Sequence, residues 1–204
     1  MSTRAHWEQV YETKAVDGVS WYRPHLDRSI AYLRDAQLGP DAAVIDVGGG
    51  ASTFVDDALA LGFRDITVLD MAESALRATK ERLGPQGASV SFVAADITRA
   101  ELAPRRFDFW HDRAVFHFVT DPADRARYVS IARRALKPGA HIVVATFAPD
   151  GPERCSGLEV ARFDADGIHG EFGTGFEKVG AAEERHVTPW GSEQAFVYCY
   201  CRTR

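Results

Sequence analysis

The stretch Val44-Ile45-Asp46-Val47-Gly48-Gly49-Gly50-Ala51-Ser52-Thr53 sets an acid and three consecutive glycines at the end of a short apolar run. A turn without Cβ atoms lets the backbone pass close beneath a ligand. Two further acids fall at comparable points: Asp70 ends the run 65–69, and Asp96 follows the run 89–94. If those runs are neighbouring parallel strands, the three carboxylates line one crevice at the strands' carboxyl ends, where α/β proteins bind nucleotide-like cofactors. Asp70, about twenty residues past the glycines, is placed to bind ribose hydroxyls. Its charge also disfavours a cofactor with a 2′-phosphate. Any one of these acids reads equally well as a helix N-cap. The three together, with the glycines, favour the cofactor.

The second concentration of reactive groups is Phe107-Asp108-Phe109-Trp110-His111-Asp112-Arg113-Ala114-Val115-Phe116-His117-Phe118. It begins as a strand, so its far end opens into the same crevice. His111, Asp112 and His117 are the candidate general bases, the histidines because they titrate near neutrality. Asp112 is expected to orient His111 or to pair with Arg113. Arg113 reads either as a salt-bridge partner of Asp112 or Asp108, or as a ligand contact. Competing structural roles are a backbone anchor for His111 and core filling for His117. Trp7 and Tyr11 share a helix face, whereas Trp21 and Tyr22 fall in a loop; each can pack, or stack on a ligand or a cation. Cys199 and Cys201 share one face of a strand as small buried residues. Without further ligands nearby, no metal site is expected.

The elements that must position these groups follow from periodicity. Helices are expected over 3–14 and 24–37, the second with Leu26, Ile30 and Leu33 at helical spacing and Gly39-Pro40 as its stop. Strands over 43–47, 65–69, 89–94, near 107–110 and over 140–147 alternate with helices over 53–61, 73–83 and from Asp121 onward. The last of these starts with Pro122 at its first position. A helix near 164–171 and strands over 177–187 and 193–201, joined at Pro189-Trp190-Gly191-Ser192, complete the pattern. This alternation gives an α/β class: a Rossmann-like, seven-stranded, mostly parallel sheet with an antiparallel last strand and helices on both faces.

At 204 residues a single domain is expected. The net charge of -5, with basic residues scattered, argues against nucleic acid or an anionic membrane as partner. The polar start from Met1 to Trp7 and the lack of a long apolar run point to a cytoplasmic protein.

In order and spacing these features resemble class I S-adenosylmethionine-dependent methyltransferases. Asp46-Val47-Gly48-Gly49-Gly50 resembles that family's D-x-G-x-G motif. Asp70, Ala95-Asp96-Ile97 and Leu136-Lys137-Pro138-Gly139-Ala140 match its ribose acid, its adenine-contacting acid and its post-helix turn. Ser52 replaces a frequent third glycine. The dinucleotide pattern G-x-G-x-x-G fits less well, because Thr53 stands where its last glycine belongs.

The resemblance spans residues 40–147 and implies S-adenosylmethionine as cofactor. The residues holding it would be Asp46, Gly48, Gly49, Gly50, Asp70, Met71, Asp96 and Ile97, with Trp21 and His111 beside them. Residues 1–39 would form a helical lid, 40–147 the cofactor-binding core, and 148–204 the last strands and acceptor side. The pattern F-D-x-x-x-D-R-A and the following Asp124-Arg125-Ala126-Arg127-Tyr128 are similar to thiopurine and thiol S-methyltransferases. That likeness implies a small-molecule acceptor, a thiol or other soft nucleophile, contacted by Trp7, Tyr11, Tyr22, Arg113 and Cys155. A protein-lysine methyltransferase is the alternative, with an open acidic groove in place of a lid-covered pocket. An NAD-dependent oxidoreductase and a catalytically silent cofactor-binding module also stay open. Oligomeric state is not encoded in any pattern here.

Overall fold

The computed structural model describes residues 3–204. Five strands lie parallel: β1 (Ala43–Val47), β2 (Asp65–Asp70), β3 (Val90–Ala94), β4 (Phe107–Arg113) and β5 (Leu136–Phe147). A two-residue hairpin, β6 (Arg154–Cys155) and β7 (Leu158–Glu159), stands apart from the sheet. The long hairpin β8 (Phe176–Val187) and β9 (Glu193–Thr203) then returns, with β9 antiparallel to β5. The seven-stranded order is β3-β2-β1-β4-β5-β9-β8. The chain builds outward from β1 to β3 and then crosses back to place β4 beside β1. In open α/β sheets such a reversal leaves a crevice at the carboxyl ends of the two central strands.

Every residue of β1 is buried, as expected for a central parallel strand covered on both faces. On one face Ile45, Val47, Trp110 and Val144 pack with Tyr128, Ala132 and Phe172 from α5 (Pro122–Ala135) and α6 (Ala165–Phe172). On the other, Val44, Phe109 and Val143 pack with Ile30 and Leu33 of α2 (Asp27–Asp35) and Phe54 and Ala58 of α3 (Phe54–Ala60). Successive strand residues point to opposite faces. In β4, therefore, Trp110 and Asp112 turn towards α5, whereas Phe109, His111 and Arg113 turn the other way. The β1–β4 register sets Asp46 opposite His111.

The sequence expectations for the sheet hold, including the antiparallel β9. Boundaries shift: the second helix starts at Asp27, not residue 24, and β5 begins at Leu136. The β6–β7 hairpin was not expected. Its turn, Ser156-Gly157, has both φ values positive (48° and 79°), the geometry of a tight hairpin.

Helix α1 (Arg4–Thr13) lies over α4 (Glu73–Leu83) and buries Trp7 and Val10 against Ala72 and Ala75. Helix α4 has Ala72 at its N-cap, which supplies no side-chain acceptor. Glu8 of α1 fills that role from a distance: its carboxylate accepts from the amides of Glu73 at 2.7 Å and Ser74 at 3.1 Å. Arg4 adds an ion pair to Glu73 at 3.0 Å. Partial burial pulls the Glu8 carboxyl up, but its bonds to Ser74 and Glu73 and the charge of Arg4 outweigh it, and the net shift is downward. A depressed carboxyl stabilises the fold above its unfolded pKa, and that stabilisation fades as pH falls through the acid range. Glu8→Ala should cost about 1 kcal/mol, as lost caps do, and lower the melting temperature by about 2–4 °C. It should also speed proteolysis within residues 4–13. An unchanged melting curve and digestion pattern would mean that Trp7 and Val10 alone hold α1.

Candidate active site

The glycine turn leaves β1 with Gly48 at φ +68°. The amides of Gly48 and Gly49 both donate to Leu69 O, at 2.6 and 3.2 Å. A Cβ on Gly48 would lie 1.9 Å from Val115 Cγ2, one on Gly49 2.2 Å from Asp46 Oδ2, and one on Gly50 2.6 Å from Ala75 Cβ. The glycines were expected to make room for a ligand; in the structure they first make room for the protein's own side chains. Gly48 nevertheless borders two cavities, of about 640 and 400 Å³.

Asp70 lies at the floor of the larger cavity. Its Oδ2 accepts from Gly50 N at 3.1 Å and its Oδ1 from Ala72 N at 2.8 Å. Burial pushes its carboxyl up to about 6, against the downward pull of those amides, and Asp46 adds to the rise. Met71, Ile97, Val115 and Phe118 continue the wall into a third cavity, of about 370 Å³, bordered by Asp96. Asp96 Oδ1 accepts from Thr98 N and Oγ1 at 2.9 and 2.8 Å.

The smaller cavity beside the turn is more polar, with Asp46, His111, Arg23 and Arg113 on its walls. Asp46 Oδ1 is 2.6 Å from His111 Nδ1, and His111 Nε2 is 2.8 Å from Ser29 Oγ. The imidazole stacks on Phe54 at 4.0 Å and is 1% exposed. Asp46 Oδ2, by contrast, is buried without a partner. Both nitrogens of His111 are thus occupied, and the ring holds Asp46 in place; it is not presented to an acceptor as a free base.

The other candidate bases are placed differently from expectation. Asp112 cannot orient His111, because the two point to opposite faces of β4. Its Oδ2 accepts from Tyr128 OH at 2.6 Å and its Oδ1 from the amides of Val115 and Phe116, so it shapes the loop after β4. Burial raises its carboxyl to about 6. His117 is fully buried, and its Nδ1 accepts from Phe147 N at 3.3 Å. Burial, and then Arg113, depress it to about 3, so it is neutral and serves the core. Neither residue borders the three cavities described.

Arg113 does not pair with Asp112 or Asp108. It donates to Tyr198 OH and Trp21 O, both at 3.0 Å, lies 4.4 Å over the Phe196 ring, and sits 3.5 Å from Glu184. Glu184 also holds Arg23 at 3.1 Å. Trp7, Tyr11, Trp21 and Cys155 all line the larger cavity, and Tyr22 the smaller. The rings of Trp7 and Phe118 meet edge to face at 5.0 Å, and those of Trp7 and Trp21 at 5.8 Å. Burial pushes the Cys155 thiol up to about 11, so it is not a thiolate at neutral pH. Arg23, Ser52, Val115, Phe118 and Asp124 also border these cavities, although none was expected as a site residue. Arg23 was in plain view beside Trp21 and Tyr22, a cation in an aromatic loop.

Residues 44–139 match the family model described as a methyltransferase domain. The chain is similar to the eEF1A lysine methyltransferase 2 of Homo sapiens, 25% identical over 151 residues, covering 67% of this chain and 64% of that protein. The chain thus matches less than two thirds of that relative's length. Among solved structures, one described as converting a disulfide bond into a thioacetal group during echinomycin biosynthesis superposes with a TM-score of 0.80 at 18% identity, covering 98% and 92% of the two chains. The N-methyltransferase NodS of Bradyrhizobium japonicum WM9, in complex with S-adenosyl-L-homocysteine, gives 0.73 at 16% identity, covering 96% and 97%. At such identities these neighbours establish the Rossmann-like fold. The match also displaces the nicotinamide reading. Among the described residues, no helix is long and apolar enough to cross a membrane.

The packing of the turn yields a stability test. Gly48→Ala should destabilise the protein by about 1–3 kcal/mol, from overpacking and a left-handed φ. Adding Val115→Ala should recover part of that loss by removing the clashing methyl. If the double variant is simply the sum of the two single losses, Val115 does not set the glycine requirement.

Proposed function

We propose that the protein transfers the methyl group of S-adenosylmethionine to an amine, with the lysine side chain of a protein as acceptor. The donor assignment rests on one observation: polar groups of the right kinds border two cavities that meet at Gly48. In the larger, the anchored Asp70 carboxylate suits the two hydroxyls of a ribose. In the smaller, the free Oδ2 of Asp46 suits an ammonium, and Arg23 and Arg113 suit a carboxylate. Those are the two ends of an amino-acid nucleoside. When bound, S-adenosylmethionine supplies a methyl group on a sulfonium that already carries its leaving group. The chain's work is then to hold donor and acceptor in line and keep water out, where effective molarity is worth about 7–11 kcal/mol in good cases.

The aromatic wall of Trp7, Tyr11, Trp21 and Phe118 suits both tasks, because ring faces attract a sulfonium and ring edges exclude water. His111 has both ring nitrogens engaged, and Asp112 and His117 do not border the cavities, so none of the three is placed to take the acceptor's proton. An acceptor amine must therefore lose its proton on entering, and an apolar cavity favours the neutral form. The name of the human relative supports lysine as the amine, in place of the small soft nucleophile first expected. That earlier reading keeps one supporting observation: helix α1 and Cys155 enclose the cavity, as suits a small acceptor. In this reading α1 is the lid.

Two experiments test these assignments. S-adenosylmethionine binding, followed by calorimetry, should weaken as pH falls through about 6, where Asp70 takes up a proton. The ribose contact needs the ionised form, so Asp70→Asn should bind about tenfold or more weakly at pH 8 and lose the pH step. A step that persists in Asp70→Asn would remove Asp70 from the ribose. For the acceptor, S-adenosylhomocysteine production is followed with lysine peptides, small amines and thiols. Turnover with lysine peptides supports the reading; turnover confined to small thiols returns the assignment to a soft small molecule.

A further inference from the structure

Asp124 is a buried acid with no evident employment. It sits in the first turn of α5, is 1% exposed, and its Oδ2 has no hydrogen-bond partner. Its other oxygen pairs with Arg127, one turn along the helix. Capping does not explain it, because Asp121 already accepts from Ala123 N at 2.7 Å at the helix start. An ionised oxygen without a donor is costly to bury. What Asp124 borders is the 370 Å³ cavity, whose walls are Met71, Ile97, Val115, Phe118 and Val119. Asp96 borders the same space, with Oδ1 occupied by Thr98. The cavity shares Met71, Ile97, Val115 and Phe118 with the larger one that holds Asp70. It therefore continues the site beyond the ribose position.

Apolar walls and two carboxylates bordering one small space suit a flat ring carrying a single nitrogen with two N–H bonds. We infer that Asp124 is a second reader of the cofactor's base, sharing the 6-amino group of adenine with Asp96 and excluding 6-oxo purines. This rests on the proposed nucleoside donor and goes beyond it, since the resemblance to known methyltransferases supplied Asp96 alone. A 6-amino group gives one N–H to each acid. A 6-oxo group turns an acceptor towards both, and buried carboxylates left facing an acceptor are penalised more heavily than a merely missing bond.

The test compares S-adenosylhomocysteine with S-inosylhomocysteine by calorimetry on the wild type, Asp124→Ala, Asp124→Asn and Asp70→Asn. The wild type should prefer the adenine compound by about 100-fold or more, and Asp124→Ala should shrink that preference by about tenfold. The inosine compound should bind Asp124→Ala no worse than the wild type. Asp124→Asn keeps the shape and one neutral acceptor, so its preference should fall between the two. Because each preference is a ratio measured on one protein, a general loss of stability cancels. If Asp124→Ala does not fold, Asp124→Asn decides. A preference unchanged within about twofold in the variants overturns the inference, since hydrogen bonds to charged groups are worth more than that. Should it stay unchanged while Asp70→Asn weakens both compounds alike, the donor assignment survives and only the role of Asp124 falls. Should the wild type bind neither compound, both fall together.

Discussion

Where the chain leaves β1 there is no room for a side chain at three successive positions. Val115, Asp46 and the pair Ala75 and Asp70 occupy the space that a Cβ would need at Gly48, Gly49 and Gly50. The rest of the site depends on that exclusion. With the turn pressed in, its amides reach Leu69 O and Asp70 Oδ2 and tie the end of β1 to the end of β2. Asp70 is then fixed from both sides, by Gly50 and by Ala72, before any ligand arrives. Such prior fixing matters because a carboxylate that had to be ordered on binding would lose part of its contact free energy to entropy.

The alternation of β4 makes the second division. On one face Trp110 Nε1 donates to Tyr128 OH, which donates to Asp112, which in turn accepts from the loop amides of Val115 and Phe116. That chain shapes the loop bearing Val115, the residue that closes on Gly48. On the other face, Ser29, His111 and Asp46 form a buried relay that ends in one free oxygen. Networks whose members are nearly all satisfied are rigid in a low-dielectric interior, and the one unsatisfied atom is where a ligand gains most. Opposite faces of a single strand thus position the two sides of the glycine turn.

Much of this was readable in the residues. The order of apolar runs, the glycines at 48–50 and the acids at strand ends were enough for the sheet and for the crevice at its carboxyl edge. The expected orientation of His111 by Asp112 is at odds with a feature already present in the sequence: the two are adjacent on a strand, so their side chains leave opposite faces. His117 takes the core-filling role that the sequence also offered, and the partner of its Nδ1, Phe147 N, lies thirty residues away. Arg113 finds Tyr198 and Glu184 across the sheet, partners that only the returning hairpin brings near. Asp124 looked like an ordinary first-turn helix acid. Its unpaired oxygen becomes visible only once the wall of Met71 and Ile97 is in place.

The start of α4 connects these parts. Its first amides are divided between two acids from elsewhere: Asp70 takes Ala72 N, and Glu8 takes Glu73 and Ser74. One acid belongs to the proposed ribose contact and the other to the proposed lid, and both face the positive end of one helix dipole. Magnitudes decide how such a lid behaves. Burying Trp7 and Val10 is worth about 1.5–3 kcal/mol per side chain, whereas an exposed carboxylate at a helix end adds about 0.3–1 kcal/mol. Apolar packing therefore holds α1 down, and Glu8 sets its angle and register over Asp70. A ligand that touches the underside of Trp7 adds to the larger of the two terms. If α1 is the lid, as proposed, its docking and the holding of a ligand would draw on the same apolar surface, with Glu8 as the weaker polar contact.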